Sequence, residues 1–255
     1  MKKQETRFTI KYEEFLAIVL MLVIWEVLAR VIHQNILLVG PWQVVKRILI
    51  IWREDGFFRT LFFSLGRMIG GFFLGMISGT VLAILAGSFR MVRVLLKPWV
   101  ATIKSVPVAS FVVICLIWLS GNGLAVFISF LVTLPVIYQN VLTGFLQKNA
   151  DLEDTADVLH IYGMPRICYV VLPQIFPYFM AGAKTAAGMA FRAGIAAEII
   201  GTPNGSVGRE LHLARIYLDT DGLLAWTVIL VVCSVIFEKI LVRFLGLIKK
   251  KLMKI

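Results

Sequence analysis

Long apolar runs, separated by short polar or turn-forming stretches, dominate this sequence. A hydrocarbon layer about 30 Å thick needs roughly 20 apolar helical residues to cross it. Six runs are long enough, at about 15–32, 61–87, 98–119, 124–146, 175–200 and 223–245. The pattern therefore predicts an all-α fold, a polytopic membrane bundle of about six transmembrane helices.

The composition agrees with a membrane protein and argues against a soluble one. The chain is 59% hydrophobic and 16% charged, whereas soluble domains carry roughly 25% charged residues. The net charge of +11 is explained by basic loops beside the membrane, so no nucleic-acid partner is expected. Cys115, Cys168 and Cys233 stand singly in apolar surroundings, which predicts neither a metal site nor a disulfide framework.

Lys and Arg are unevenly distributed between the loops on the two sides of the predicted bundle. The segments outside the membrane carry six of them: Lys46, Arg47, Arg53, Arg59, Arg209 and Arg215. The inner segments carry thirteen: Lys2, Lys3, Arg7, Lys11, Arg90, Arg93, Lys97, Lys148, Arg166, Lys249, Lys250, Lys251 and Lys254. Because cytoplasmic loops are enriched in such residues, both termini are predicted to be cytoplasmic, in a multi-pass protein of the cell (inner or plasma) membrane.

Three regions are predicted along the chain. Residues 1–56 hold a cytoplasmic tail, a first span retained as an anchor, and a short helix on the outer surface that starts at Pro41. Residues 57–245 form the core, and residues 246–255 form a basic cytoplasmic tail. Within the core, residues 147–173 connect the fourth and fifth spans, and we call them the linking segment.

Small residues recur every four positions in the second and fifth spans. In lipid, helices associate through close approach of small side chains, so these rows predict helix-packing faces. The rows are Gly71, Gly75, Gly79 and Ala83 in one span, and Gly182, Ala186, Ala190 and Gly194 in the other. They suit contacts within the chain or with a second copy.

The fifth span also carries the charged residues Lys184, Arg192 and Glu198. Charges inside a membrane are costly and usually face a partner or a wet cavity. One interpretation is structural, in which Lys184 reaches the inner surface and Arg192 is ion-paired. The other is that these three residues border a substrate pathway.

The linking segment has the pattern of a short amphipathic helix. Leu152, Ala156, Leu159 and Gly163 recur on one side of such a helix, and acidic residues crowd its first turn, where the helix dipole favours anions. Gly163 and Pro165 are predicted to end it, and a second short piece is predicted to end at Leu172 and Pro173. Such an element suits docking of a cytosolic partner.

Its residues resemble a known signature. Asp154-Thr155-Ala156, three residues, His160, nine residues, and Val170-Val171-Leu172-Pro173 are similar in spacing to the Glu-Ala-Ala…Gly…Ile-x-Leu-Pro signature of binding-protein-dependent ABC importer permeases. Asp, Thr and His160 replace the usual Glu, Ala and Gly.

Further segments resemble permeases of the sulfonate, taurine and nitrate branch, so that the resemblance covers roughly residues 40 to 245. They are Ser64-Leu-Gly-Arg67 followed by Gly70, Ser105-Val-Pro107-Val-Ala109, Ile117-Trp-Leu-Ser-Gly-Asn-Gly123, Ala197-Glu198-Ile-Ile-Gly201 and the run from Tyr217 to Trp226.

The resemblance implies a type I ABC importer permease fold and an assembly with partner proteins. The implied partners are cytosolic ABC ATPase subunits, an external substrate-binding protein and a second permease copy. The two permease copies would form a homodimer in the lipid bilayer. Its implied ATPase-coupling residues are Asp154, Thr155, Ala156, Leu159, His160, Gly163, Leu172 and Pro173. The chain has no Gly-x-x-x-x-Gly-Lys-Ser/Thr stretch, so it is not expected to be an enzyme or to carry a cofactor. ATP and Mg would bind the partner ATPase.

The resemblance also implies a small organic or inorganic anion as substrate, such as a sulfonate, taurine or nitrate. Similar permeases transport neutral or heterocyclic vitamin precursors. Such a precursor is therefore an alternative substrate. An ion-coupled secondary transporter is a less favoured alternative, since no internal repeat is evident. A membrane-embedded enzyme is disfavoured because His33, His160 and His212 lie far apart in the sequence.

Overall fold

The described part of the chain is built of helices and contains no strand. A computed structural model describes residues 2–32, 34, 36–119 and 121–252; His33, Ser120 and Lys254 lie outside them. The helices are α1 (Lys2–Ile32), α2 (Pro41–Ile51), α3 (Phe57–Ser88), α4 (Arg90–Ser105), α5 (Val108–Trp118), α6 (Gly121–Leu146), α7 (Ala150–Val158), α8 (Met164–Arg166), α9 (Leu172–Gly201), α10 (Val207–Ile216) and α11 (Thr220–Leu252), with a π-helical turn at Ile167–Val171. The predicted all-α membrane bundle is confirmed.

The chain divides into two compact units. The first contains residues 1–57 and 210–230. Within it, Arg47 of α2 donates to the Asp219 carboxylate at 3.0 Å, and Thr220 donates to the Ile36 carbonyl at 2.7 Å. These bonds fasten the α10–α11 turn to α2 and to the connection between α1 and α2.

The second unit contains residues 58–209 and 231–255, and α6 packs against both α3 and α9. A Cβ atom added to Gly75 would lie 2.7 Å from the Phe130 carbonyl oxygen, and one added to Gly79 would lie 2.7 Å from that of Leu134. Glycine thus lets the α3 backbone approach the α6 backbone directly. Gly71 also lies against α6, beside Val126, and Ala83 is fully buried.

The small residues of α9 lie against the same helix. A Cβ atom at Gly182 would be 2.8 Å from Asn140 Cβ, and one at Gly194 would be 2.6 Å from Ser129 Oγ. Ala186 and Ala190 are fully buried, and Ser129 donates to the Ala190 carbonyl at 3.0 Å. Both rows of small residues therefore make contacts within one chain.

Aromatic rings complete the core of this unit. Phe237 of α11 contacts the rings of Phe72 and Phe191, with centroids 5.4 and 5.2 Å away. The remaining core consists mainly of buried apolar residues of α3, α6 and α9, together with Val100 of α4 and with Leu241 and Leu245 of α11. The helices of the second unit are thus held together by close packing.

Several helices are long enough to cross a bilayer. By length and hydropathy, α3 and α6 are candidate spans within the described residues, and α4 with α5 could form a third. The helices α1, α9 and α11, of 31, 30 and 33 residues, also exceed the roughly 20 residues that a span requires. These helices correspond to the six predicted runs.

The predicted third span, 98–119, is wrong as a continuous helix. The chain bends by 103° between α4 and α5, and Val106 there is extended, with φ −74° and ψ 128°. Proline at 107 explains the break, because it excludes the preceding residue from the helical region and has no amide hydrogen to donate. The last span also differs from its prediction, since α11 continues to Leu252 rather than ending near Leu245.

Candidate functional site

The linking segment begins with a capped helix. The Asn149 side chain accepts a hydrogen bond from the Asp151 amide at 2.8 Å, which satisfies one of the free donors at the start of α7. The Asn149 amide in turn donates to the Gln174 side chain at 2.7 Å. The cap therefore also ties the start of α7 to α9.

The end of α7 differs from the prediction, because the helix stops at Val158 instead of near Gly163. The amides of His160 and Ile161 donate back to the carbonyls of Asp157 and Ala156, at 3.1 and 2.9 Å. These two bonds form a Schellman motif, in which the residue after the C-cap is left-handed. His160 is that residue, with φ 53°, so the position where the resembling signature has Gly requires a conformation that glycine adopts most easily.

An ion-pair cluster fixes α7 to α8. The Arg166 guanidinium donates to Glu153 at 2.6 Å and also pairs with Asp157, while Lys148 lies 3.0 Å from Glu153. Hydrogen bonds from Arg166 and Lys148 hold the pKa of the Glu153 carboxyl below its usual value. Glu153 and Asp157 in turn raise the pKa of Arg166. These ion pairs therefore hold α7 against α8 across the turn that connects them.

The predicted second short piece does not end at Leu172 and Pro173. Arg166, Ile167, Val171 and Leu172 all have right-handed helical dihedrals, so α8, the π-helical turn and α9 run on without a break. Pro173 lies where the π-helical turn passes into α9, so its missing amide hydrogen falls where the hydrogen-bond register of the helix changes. Movement of the linking segment would thus be transmitted directly along α9.

The linking segment presents apolar side chains outward, and these coincide only in part with the predicted face. Ala156 is only 2% exposed and faces the chain itself, whereas Leu159 lies beyond the end of the helix and is 63% exposed. The other large exposed apolar residues are Leu152, Val158, Tyr162, Met164, Ile167 and Tyr169. Asp154, Thr155, His160 and Gly163 are exposed as well, while Leu172 and Pro173 are half-buried.

Glu198, in the last turn of α9, is enclosed completely. Its carboxylate accepts a hydrogen bond from Ser64 at 2.6 Å and one from the Gly208 amide at 3.2 Å, and it lies 3.3 Å from Arg67. Arg67 also donates to the Gly121 carbonyl at 2.7 Å. This network joins α3, α6, α9 and the start of α10, so in this structure Glu198 is part of the packed interior.

Lys184 and Arg192 instead lie on an exposed face of α9. Lys184 Nζ is 3.8 Å from a Glu238 oxygen. Arg192 makes no hydrogen bond or ion pair with any residue that the structure describes, so the interpretation of a structurally paired Arg192 is not supported within this chain. The three charges that the sequence placed together are thus divided between an interior network and an open face.

Comparison with known proteins identifies the family. Residues 71–253 match the family described as "Binding-protein-dependent transport system inner membrane component", which is more than half of the chain. The chain belongs to this family. It is thus a membrane permease subunit of the ABC importer type, as the resemblance implied.

Several relatives have named substrates, all at low identity to this permease. The nitrate import permease protein NrtB of Synechococcus elongatus is 26% identical over 72% of this chain and 70% of its own length. A putative aliphatic sulfonates transport permease of Bacillus subtilis is 25% identical over 91% and 83%. The bicarbonate transport permease CmpB of Synechococcus elongatus is 29% identical over 67% and 66%.

A solved structure supports the fold. The crystal structure of an amino acid ABC transporter with histidines matches with a TM-score of 0.58, over 77% of this permease and 94% of that chain, at 14% sequence identity. At that identity the match shows the fold alone.

Sequence reasoning missed two features of the permease. It did not predict the pairing of Arg67 with Glu198, which depends on how α3 and α9 pack and leaves no local signal. It also missed Arg166, although a cation 9 and 13 residues after two carboxylates, beyond a turn signal at Gly163, could have suggested the cluster.

Proposed function

We propose that this permease is the translocating subunit of an ATP-driven importer, and that its linking segment docks on a cytosolic ATPase subunit. In this proposal ATP and Mg bind the ATPase, both permease termini are cytoplasmic, and an external binding protein delivers the solute. Two permease copies would enclose the pathway. The observation that carries the proposal is the charge-fastened linking segment, with its exposed apolar surface, in a chain of this family.

The segment has the mechanical properties that coupling requires. Its first helix is fastened by Arg166 to the turn that leads into α9, and α9 is packed along α6. A push on the linking segment would therefore move α9 rather than deform a loop. ATP-driven closure of the ATPase pair would turn the bundle from inward-open to outward-open, and hydrolysis would reset it.

The docking claim is tested with a charge on the exposed surface. Leu159→Asp places a carboxylate among the exposed apolar side chains, and burying it at a protein interface is unfavourable. We expect ATPase association in pull-downs and ATP-driven uptake both to fall at least about tenfold, the effect of roughly 1.4 kcal/mol.

The matched control is Leu218→Asp, because Leu218 is 62% exposed on the α10–α11 turn. This variant should bind the ATPase normally. Ala156→Asp is a different case, because Ala156 is buried within the chain and its substitution should destabilise the permease itself. Normal association of Leu159→Asp with the ATPase would overturn the docking proposal.

For the substrate we propose a small anion. The named relatives include nitrate, sulfonate and bicarbonate permeases. Arg192 offers an exposed cation on α9 that pairs with no residue in the described part of the chain. A guanidinium is suited to planar oxyanions because it donates in a fork geometry. We therefore place Arg192 on the pathway and Glu198 outside it.

Two measurements test the anion proposal. The external binding protein is screened by thermal shift against nitrate, sulfonates, taurine, bicarbonate and heterocyclic vitamin precursors, and stabilisation by an anion is expected. Arg192→Gln should then reduce uptake of that anion without reducing assembly with the ATPase. Stabilisation by a neutral heterocycle alone would overturn the anion proposal and leave the docking proposal standing.

A further inference from the structure

An open apolar groove of about 470 Å³ lies between α1 and α2, within the first unit. The groove residues are Val19, Leu22, Val23, Glu26 and Arg30 of α1, and Pro41, Trp42 and Val45 of α2. Only the two charged residues interrupt the apolar lining, and both lie toward the C-terminal end of α1. No step of the proposed transport cycle uses this groove.

The start of α2 is fixed beside the last turns of α1. Trp25 Nε1 donates to the Val39 carbonyl at 3.0 Å, and a Cβ atom at Gly40 would lie 2.7 Å from a Glu26 oxygen. Glu26 precedes the end of α1 by six residues, which is about 9 Å at 1.5 Å per residue. If the end of α1 marks the membrane surface, α2 begins within the roughly 5–10 Å that interfacial helices penetrate.

The length of the groove matches the thickness of the hydrocarbon layer of one leaflet. From Val19 to Arg30 the groove follows eleven residues of α1, a rise of about 16 Å. Half of a hydrocarbon layer about 30 Å thick is about 15 Å. The charged end therefore coincides with the headgroup level when the apolar end is near the bilayer centre.

The charged side chains in and beside the groove carry a net positive charge. Arg30 Nε donates to Glu26 at 2.9 Å, and the Arg30 side chain is otherwise exposed. On α2, Lys46 Nζ lies over the Trp42 ring, 5.5 Å from its centroid. Two cations and one carboxylate would attract a phosphodiester, and tryptophan is favoured at this membrane level.

We propose that the α1–α2 groove binds a phospholipid, with an acyl chain along α1 and the phosphate between Arg30 and Lys46. Lipid is the favoured occupant because α1 is also exposed and apolar on the side opposite the groove, at Met21, Ile24 and Leu28. The groove thus belongs to a helix that presents apolar side chains outward on more than one side. The bound lipid would fill the space between the first span and the interfacial helix.

Native mass spectrometry of the full-length permease, extracted from vesicles of phosphatidylglycerol and phosphatidylethanolamine, tests this site. We expect wild-type protein to retain phosphatidylglycerol. The double variant Arg30→Gln/Lys46→Gln should weaken retention about thirtyfold, since each cation near an anionic headgroup contributes roughly fivefold. Val23→Trp should displace the acyl chain by filling the groove.

The controls lie outside the groove but close to it in the sequence. Arg53→Gln removes an exposed cation just after α2, and Met21→Trp adds an indole to another side of α1; both should retain lipid normally. As a second readout, brominated phosphatidylglycerol should quench a fluorescence component that Trp42→Phe removes.

Equal lipid retention by the double variant and the wild type would overturn the proposal. So would crosslinking of Val23→Cys to a second permease copy or to the binding protein, since either result would assign the groove to a protein. Because these variants lie outside the linking segment and α9, the transport proposal is tested independently.

Discussion

At the scale of single residues, His160 shows why a signature position prefers glycine. Its left-handed backbone costs an L-residue roughly 1–2 kcal/mol, whereas glycine avoids that cost but loses about 0.5–1 kcal/mol of chain entropy. His160→Gly should therefore stabilise the end of α7 by about 0.5–1 kcal/mol. Hydrogen exchange of the Ile161 amide, which donates to Ala156, should slow by roughly two- to fivefold.

Leu159→Gly is the matched control, because Leu159 has φ −82° and gains nothing from glycine. Its substitution should speed exchange at the same amide. Faster exchange in His160→Gly would show that the histidine ring, whose Nδ1 lies 3.3 Å from the Tyr162 hydroxyl, stabilises this end more than its backbone strain destabilises it.

The buried pair of Arg67 and Glu198 makes a second prediction at this scale. The side chains are 10% and 0% exposed, and removing one partner of such a pair leaves an uncompensated charge, which costs about 3–5 kcal/mol. Glu198→Gln and Arg67→Met should each lower the unfolding free energy of the purified permease by about that amount. Denaturation in detergent measures it.

The double variant Arg67→Met/Glu198→Gln is the control for this pair. It removes both charges, so it should be less destabilised than the sum of the single variants, with a coupling of about 1–3 kcal/mol. Strictly additive losses would show that the two charges do not interact, in spite of their 3.3 Å separation.

At the scale of helices, the contact between α3 and α6 depends on glycine. Gly75→Ala would force a Cβ atom to 2.7 Å from both the Phe130 carbonyl oxygen and Thr133 Cβ. Such overpacking costs about 1–3 kcal/mol, and the unfolding free energy in detergent should fall accordingly. Gly66→Ala in the same helix meets nothing within 4 Å and should be neutral or stabilise by up to about 1 kcal/mol. Equal effects of the two variants would contradict the packing.

Helix existence could be predicted from the sequence, because a bilayer demands long apolar runs and lipid leaves the backbone few alternatives to a helix. Helix ends were less predictable. The break before Pro107 had a local signal, the proline itself, which interrupts the helix although the surrounding residues are apolar. The end of α7 had a weaker local signal, since histidine adopts the left-handed conformation less readily than the glycine that the resembling signature has at this position.

The continuity of α9 with the π-helical turn was also mispredicted. Pro173 suggests a boundary, but it lies where the hydrogen-bond register changes from π-helical to α-helical, and the chain stays helical through it. The position of the linking segment in the sequence could be predicted, because the spacing of residues around Ala156 and Leu172 matches the signature. Which of its side chains are exposed could not be predicted, because burial of Ala156 depends on where the rest of the chain lies.

At the scale of the whole molecule, the proposed cycle depends on which side of the membrane the linking segment occupies. Lys and Arg counts favour the cytoplasm, and a natural reporter is available. Cys168 is exposed in the π-helical turn, whereas Cys115 is buried. With Cys233 replaced by Ala, a membrane-impermeant maleimide should label Cys168 only after the cells are permeabilised.

The matched reporter for the opposite side is Asn204→Cys in a chain that also carries Cys168→Ala and Cys233→Ala. Asn204 is exposed between α9 and α10, one span away from the linking segment, so intact cells should label it. Labelling of Cys168 in intact cells would place the linking segment outside the cell, beyond the reach of a cytosolic ATPase. The docking proposal would then fail, whereas the packing of α3, α6 and α9 would be unaffected because it does not depend on orientation.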